Sequence, residues 1–131
     1  MKIVLQKHKY GCGISCIATI LSKPYDSIIS YFSTIDFDRE GLIIDALCDY
    51  LGDNGFTYIR KYLYRSFKGS IPRDPWPCDP FAPIHILHVD INSHSHFVIM
   101  DKKGKIFCPA NIVTSLVECK KFYCMAGFYK I

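Results

Sequence analysis

No stretch of this chain approaches the ~18 consecutive apolar residues that a membrane-crossing helix needs. It has no Gly-x-x-x-x-Gly-Lys-Ser/Thr loop, so no motif cradles a nucleotide phosphate. It has no Cys-x-x-Cys pair, and the spacings Cys12–Cys16 and Cys119–Cys124 do not suit a zinc knuckle. His85 and His88, with His94, His96 and Cys108, do gather ligand types, but strand geometry sends His85 and His88 to opposite faces. Neither a metal nor another cofactor is therefore expected. The net charge is only +4, and no basic run is interleaved with aromatics, which argues against a nucleic-acid partner or a membrane surface. The opening Met1-Lys-Ile-Val-Leu-Gln-Lys-His-Lys9 has three apolar residues in a row and no cleavage site, unlike a signal peptide. A cytoplasmic location is expected.

What is abundant is apolar and aromatic material, 50% and 15% of 131 residues, the makings of one domain with its own core. Seven cysteines is a high and odd number. Without a signal peptide it reads as reduced thiols, most of them small buried hydrophobes.

The first half is helical in pattern. Ile14, Ile17, Ala18 and Leu21 share one face of a helix over Gly13–Ser22, which Pro24 closes. Asp26 suits the cap of a short helix through Phe32. Glu40–Leu51 is the most regular helix, with Leu42, Ile43, Ala46, Leu47, Tyr50 and Leu51 as its buried stripe. The second half reads as strands at Phe56–Tyr64, Ile84–Ile91, His96–Met100, Lys105–Cys108 and Ala126–Ile131, with a turn at 101–104 and a short helix at Val113–Glu118. Five of the seven prolines fall within residues 65–83, a long loop. Helices first and an antiparallel sheet second give an α+β fold.

Cys12 opens the first helix, where the helix dipole lowers a thiol pKa. Gly11 and Gly13 flank it and permit close backbone approach. His96 starts an apolar strand and is the best candidate base, with His94 its rival. Gln6, six residues ahead of Cys12, offers an amide that, with the Cys12 N–H, can stabilise an oxyanion, where one lost donor costs ~10²-fold or more in rate. Cys16 is read as core.

The pattern Gln6-x5-Cys12-Gly13-x-x-Cys16, then Pro83-Ile-His-Ile-Leu-His88, His96-Phe-Val-Ile-Met100, Gly104-Lys-Ile-Phe-Cys108-Pro109-Ala110 and Met125-Ala-Gly-Phe-Tyr129, resembles the bacteriocin-processing leader-peptide cysteine peptidases. The resemblance covers most of the chain. It implies a papain-like fold with Cys12 as nucleophile, His96 as base, Gln6 as oxyanion donor, and an acid or amide orienting the histidine. It also implies a peptide or protein substrate, often cut after a Gly-Gly pair. Cys108 stands where the family carries that acid; Asn111, three residues on, is the substitute, and Asp101 belongs to the turn. Gly11 replaces the usual acid before the nucleophile, and the proline-rich loop replaces a short connection.

The expected function is thiol-dependent cleavage of a peptide or isopeptide bond. Three alternatives stay open: a catalytically weakened peptide-binding module, a deamidase or transglutaminase using the same Cys–His chemistry, and a small interaction protein acting through the proline-rich loop.

Overall fold

Three N-terminal helices pack on a five-stranded antiparallel sheet in the computed structural model. The structure describes residues 1–66, 82–91, 94–110 and 121–131. The helices are α1 (Cys12–Leu21), α2 (Tyr25–Ile29), which runs into a 3-10 turn at Ser30–Phe32, and α3 (Ile44–Asp53). The strands are β1 (Phe56–Ser66), β2 (Ile84–Ile91), β3 (His94–Asp101), β4 (Ile106–Phe107) and β5 (Lys121–Lys130), in the order β1-β5-β2-β3-β4.

Helix α1 is buried all round from Cys12 to Thr19, not along one stripe. Its polar residues survive burial because each finds a backbone partner. Ser15 Oγ donates to the Val4 carbonyl, and Thr19 Oγ1 accepts the Val4 N–H at 2.9 Å. One turn of α1 thus grips both sides of Val4 and straps the N-terminal segment along the helix. Ser22 ends α1 in the left-handed conformation, φ 53°, its N–H reaching back to the Ala18 and Thr19 carbonyls. Pro24, expected to close α1, instead takes the N-cap position of α2. Its fixed φ suits that place, and Asp26 lies in the first turn without capping.

The third helix starts four residues later than its pattern suggests. Leu42 is buried, but before the helix; Ile43 is its N-cap residue and two-thirds exposed. Cys48 joins Leu47 and Leu51 on the buried face instead. The cause is packing at 41–42. Gly41 lies so close to the Tyr10 carbonyl that a Cβ would stand 3.0 Å from it, and Leu42 packs beside Gly13. Residues 40–43 are pulled across the end of α1 and cannot wind.

In the sheet, Phe56, Ile86, Phe97, Ile99, Ala126 and Phe128 turn towards the helices and join Ile14, Ile17, Ala18, Ile28, Leu47 and Leu51 in the core. Each Phe, Ile and Leu among them contributes roughly 1.5–3 kcal/mol by leaving water. Strand β2 has the expected bounds; β3 and β5 are longer than expected, and β4 shorter. Strand β1 continues through Ser66, so the first residues of the expected 65–83 loop are strand; 67–81 lie outside the described residues. The expected helix at Val113–Glu118 also lies outside them. The 101–104 turn is present. Gly104, at φ 84°, donates to the Asp101 carbonyl, and Asp101 Oδ1 accepts the N–H groups of Lys103 and Lys105. Among the described residues no helix is long and apolar enough to cross a membrane.

Candidate functional site

Cys12 is the first residue of α1, and no side chain caps that helix end, so no cap consumes the Cys12 N–H. Two residues ahead, Tyr10 donates its N–H to the Phe37 carbonyl, fixing the approach to the helix. The flanking glycines serve packing, not approach by a substrate. A Cβ on Gly11 would lie 2.0 Å from the Tyr25 hydroxyl, and one on Gly13 would lie 3.2 Å from Leu42 Cβ. The Tyr25 hydroxyl itself is held by His8 Nδ1 at 3.0 Å, with the two rings stacked. This explains why glycine, and no acid, precedes Cys12.

His96 opens the buried stretch of β3, two residues after the exposed His94. Its Nε2 lies 3.3 Å from Cys108 Sγ. Cys108 follows β4, which pairs with β3 through Ile99–Phe107 and Met100–Ile106, and that pairing brings position 108 back beside 96. Next in the chain, the Pro109 carbonyl accepts the Gln6 N–H at 3.1 Å. Gln6, Cys12, His96 and Cys108 are thus gathered from the N-terminal segment, α1, β3 and the end of β4. Asn111 lies outside the described residues.

Cys12 and His96 line one cavity of about 470 Å³, together with Tyr10, Gly41–Ile44, His88, His94, Ser95, Phe97 and Tyr123. Among the described residues no hydrogen bond joins the thiol to the imidazole. Cys12 is 8% exposed, and burial raises its pKa above the ordinary thiol value. The backbone N–H groups of Phe97, Gly13 and Cys12 itself pull it partly back, while Cys108 adds to the rise. Burial lowers the His96 pKa to about 4. At neutral pH the pair therefore rests as thiol and neutral imidazole. The helix-end lowering expected for Cys12 is outweighed by the loss of water around the sulfur. Cys16 is wholly buried and its pKa is raised well above the usual value by the same desolvation, in keeping with a core role.

Gln6 is half-buried, and both hydrogens of its amide are committed. Nε2 donates to the carbonyls of His8 at 3.0 Å and Lys9 at 3.2 Å. These two acceptors fix the amide orientation, which leaves Oε1 buried with no partner.

The cavity wall also holds His88, which the sequence offered only as a metal-ligand type, and Ser95 and Tyr123, which it did not single out. His88 Nε2 is hydrogen-bonded to Ser95 Oγ, and the His88 ring packs against Phe97 and Tyr123 at 4.8 and 4.9 Å. Burial lowers the His88 pKa as well. The β2–β3 register, with Ile91 paired to His94, puts His88 opposite Phe97. His85, by contrast, packs against Gly127, away from that wall. No group of three or more His, Cys, Asp or Glu gathers closely enough among the described residues to hold a metal ion. No protein family, curated protein or solved structure matches this chain.

Proposed function

We propose that the chain is a papain-like cysteine hydrolase that cuts a peptide or isopeptide bond at Cys12. The observation that carries this reading is that Cys12, at the start of α1, and His96, on β3, line one cavity while Cys108 holds Nε2 of the same imidazole. The motif resemblance supports the same roles in the same order along the chain. In the proposed reaction Cys12 Sγ attacks the carbonyl carbon as its proton passes to His96, whose Nδ1 is not engaged by Cys108. The Cys12 N–H donates to the oxyanion. His96 then returns the proton to the departing amine, and water hydrolyses the thioester. Gln6 joins as a second donor only by releasing the His8 or Lys9 carbonyl. Cys12, Cys16 and Cys108 are free thiols, which suits a reducing, cytoplasmic setting.

A Cys12→Ala variant tests the reading. It should keep the wild-type circular dichroism and lose all cleavage of peptide substrates; retained cleavage removes Cys12 from the mechanism.

A second reading, a peptide-binding module on the same fold, draws support from the uncharged resting pair and the committed Gln6 donors. It predicts peptide binding with no turnover and no difference between wild type and Cys12→Ala. A deamidase would instead add about one mass unit to a substrate without cutting its backbone.

A further inference from the structure

We propose that the cavity beside Cys12 is a subsite for one bulky, uncharged side chain, aromatic or branched aliphatic, on the acyl side of the bond that is cut. The proposal rests on Cys12 being the nucleophile and names what that site selects. It departs from the Gly-Gly preference that the motif resemblance implies.

Three features carry it. The first is size. About 470 Å³ falls within the ~300–1,000 Å³ typical of ligand sites, and a glycine pair brings no side-chain atoms to fill it. The second is the chemistry of the walls. Leu42, Ile43 and Ile44 supply aliphatic lining, and the rings of Phe97 and Tyr123 each pack against His88. No Asp, Glu, Lys or Arg lines the cavity among the described residues. The imidazoles of half-buried His88 and buried His96 are neutral at pH 7, because loss of water has lowered the pKa of both. An ionic side chain entering there would lose water and gain no carboxylate, ammonium or guanidinium partner, whereas an apolar one gains contact with the aliphatic and aromatic lining. The third is position. Cys12 itself is part of the cavity wall, so the side chain that reaches it first belongs to the residue bearing the attacked carbonyl or its immediate predecessor. The exposure of Ile43, 66%, makes sense in these terms: an apolar side chain held out at a cavity mouth is available to cover an occupant.

Peptidyl acyloxymethyl ketones test this on the full chain. Cys12 Sγ bonds to the probe methylene, the acyloxy group departs as a carboxylate, and the thiol proton leaves through His96 or solvent. Two probes are compared, one ending in Leu-Phe and one in Gly-Gly before the ketone, with the label located by peptide mass mapping. The Leu-Phe probe should label Cys12 at least ~10-fold faster, the scale on which an apolar pocket discriminates. Ile43→Asp, a change at an exposed position, should shrink that ratio several-fold. Equal or faster labelling by the Gly-Gly probe, abolished in Cys12→Ala, overturns the bulky-residue subsite and leaves the nucleophile in place. Labelling that persists undiminished in Cys12→Ala, or spreads evenly over the cysteines, overturns the nucleophile and the subsite together.

Discussion

Nε2 of His96 lies 3.3 Å from Sγ of Cys108, and both side chains are buried. A thiol in this place holds the ring but brings no charge to offset an imidazolium. Desolvation by burial leaves His96 neutral down to about pH 4.

Replacing Cys108 by Asp should therefore restore what the thiol lacks. A carboxylate within hydrogen-bond reach favours the protonated ring, so the His96 pKa should rise by about one to three pH units. Cys108→Asn, which supplies a hydrogen bond without charge, should leave it low. An NMR titration of the imidazole carbon-bound protons reads both variants. A His96 pKa that stays near 4 in Cys108→Asp would show that the 108 side chain does not face the ring in solution.

The same low pKa makes stability depend on acid. The unfolded imidazole takes a proton near 6.5 and the folded one only near 4. Between those values the unfolded chain binds more protons, so stability is full above about pH 6.5 and falls as pH drops towards 4. The full difference is roughly 3 kcal/mol. Urea denaturation across this range should show the loss, and His96→Gln should flatten His96's share of it. A slope unchanged by His96→Gln would mean that other groups carry the acid limb.

Gly11→Ala probes the contact that shapes the entry to α1. The new Cβ would meet the Tyr25 hydroxyl at 2.0 Å, and Tyr25, 2% exposed, has little room to move. Overpacking of this kind costs about 1–3 kcal/mol. Tyr25→Phe removes the obstructing oxygen, so the double variant should lose less than the two single variants summed. Additive losses in chemical denaturation would place the cost elsewhere.

Much of this arrangement was legible in the sequence because it is local. Residues Ile84–Ile91 form the expected strand because they are largely apolar and rich in β-branched residues. Cys12 starts its helix as the periodicity of Ile14, Ile17 and Ala18 demands. The alignment of Cys108 with His96 could be read from the motif order, and the β3–β4 hairpin delivers it. What failed depended on tertiary crowding, on burial and on loop geometry, none of which the local pattern carries. Leu42 and Ile43 carry a helical pattern, yet the crowding of Gly41 and Leu42 against Tyr10 and Gly13 holds them in a loop. The pKa of Cys12 was read from the helix end alone, while its value follows from burial, which the strand carrying Phe97 and His96 helps to set. Gln6 carries the right spacing, but its amide is held by the two carbonyls that follow it, a loop geometry no spacing reveals.

The central claim is that Cys12 and His96 work as a pair, and the rate of Cys12 alkylation by iodoacetamide at pH 7, resolved by peptide mass mapping, tests it most directly. With the thiol protonated at rest, fast reaction requires His96 to accept its proton. Cys12 should therefore react ahead of Cys16, Cys48 and Cys108, and His96→Gln should slow it by about 10²-fold, the lower end of what a positioned base supplies. A Cys12 rate unchanged by His96→Gln would contradict the pairing.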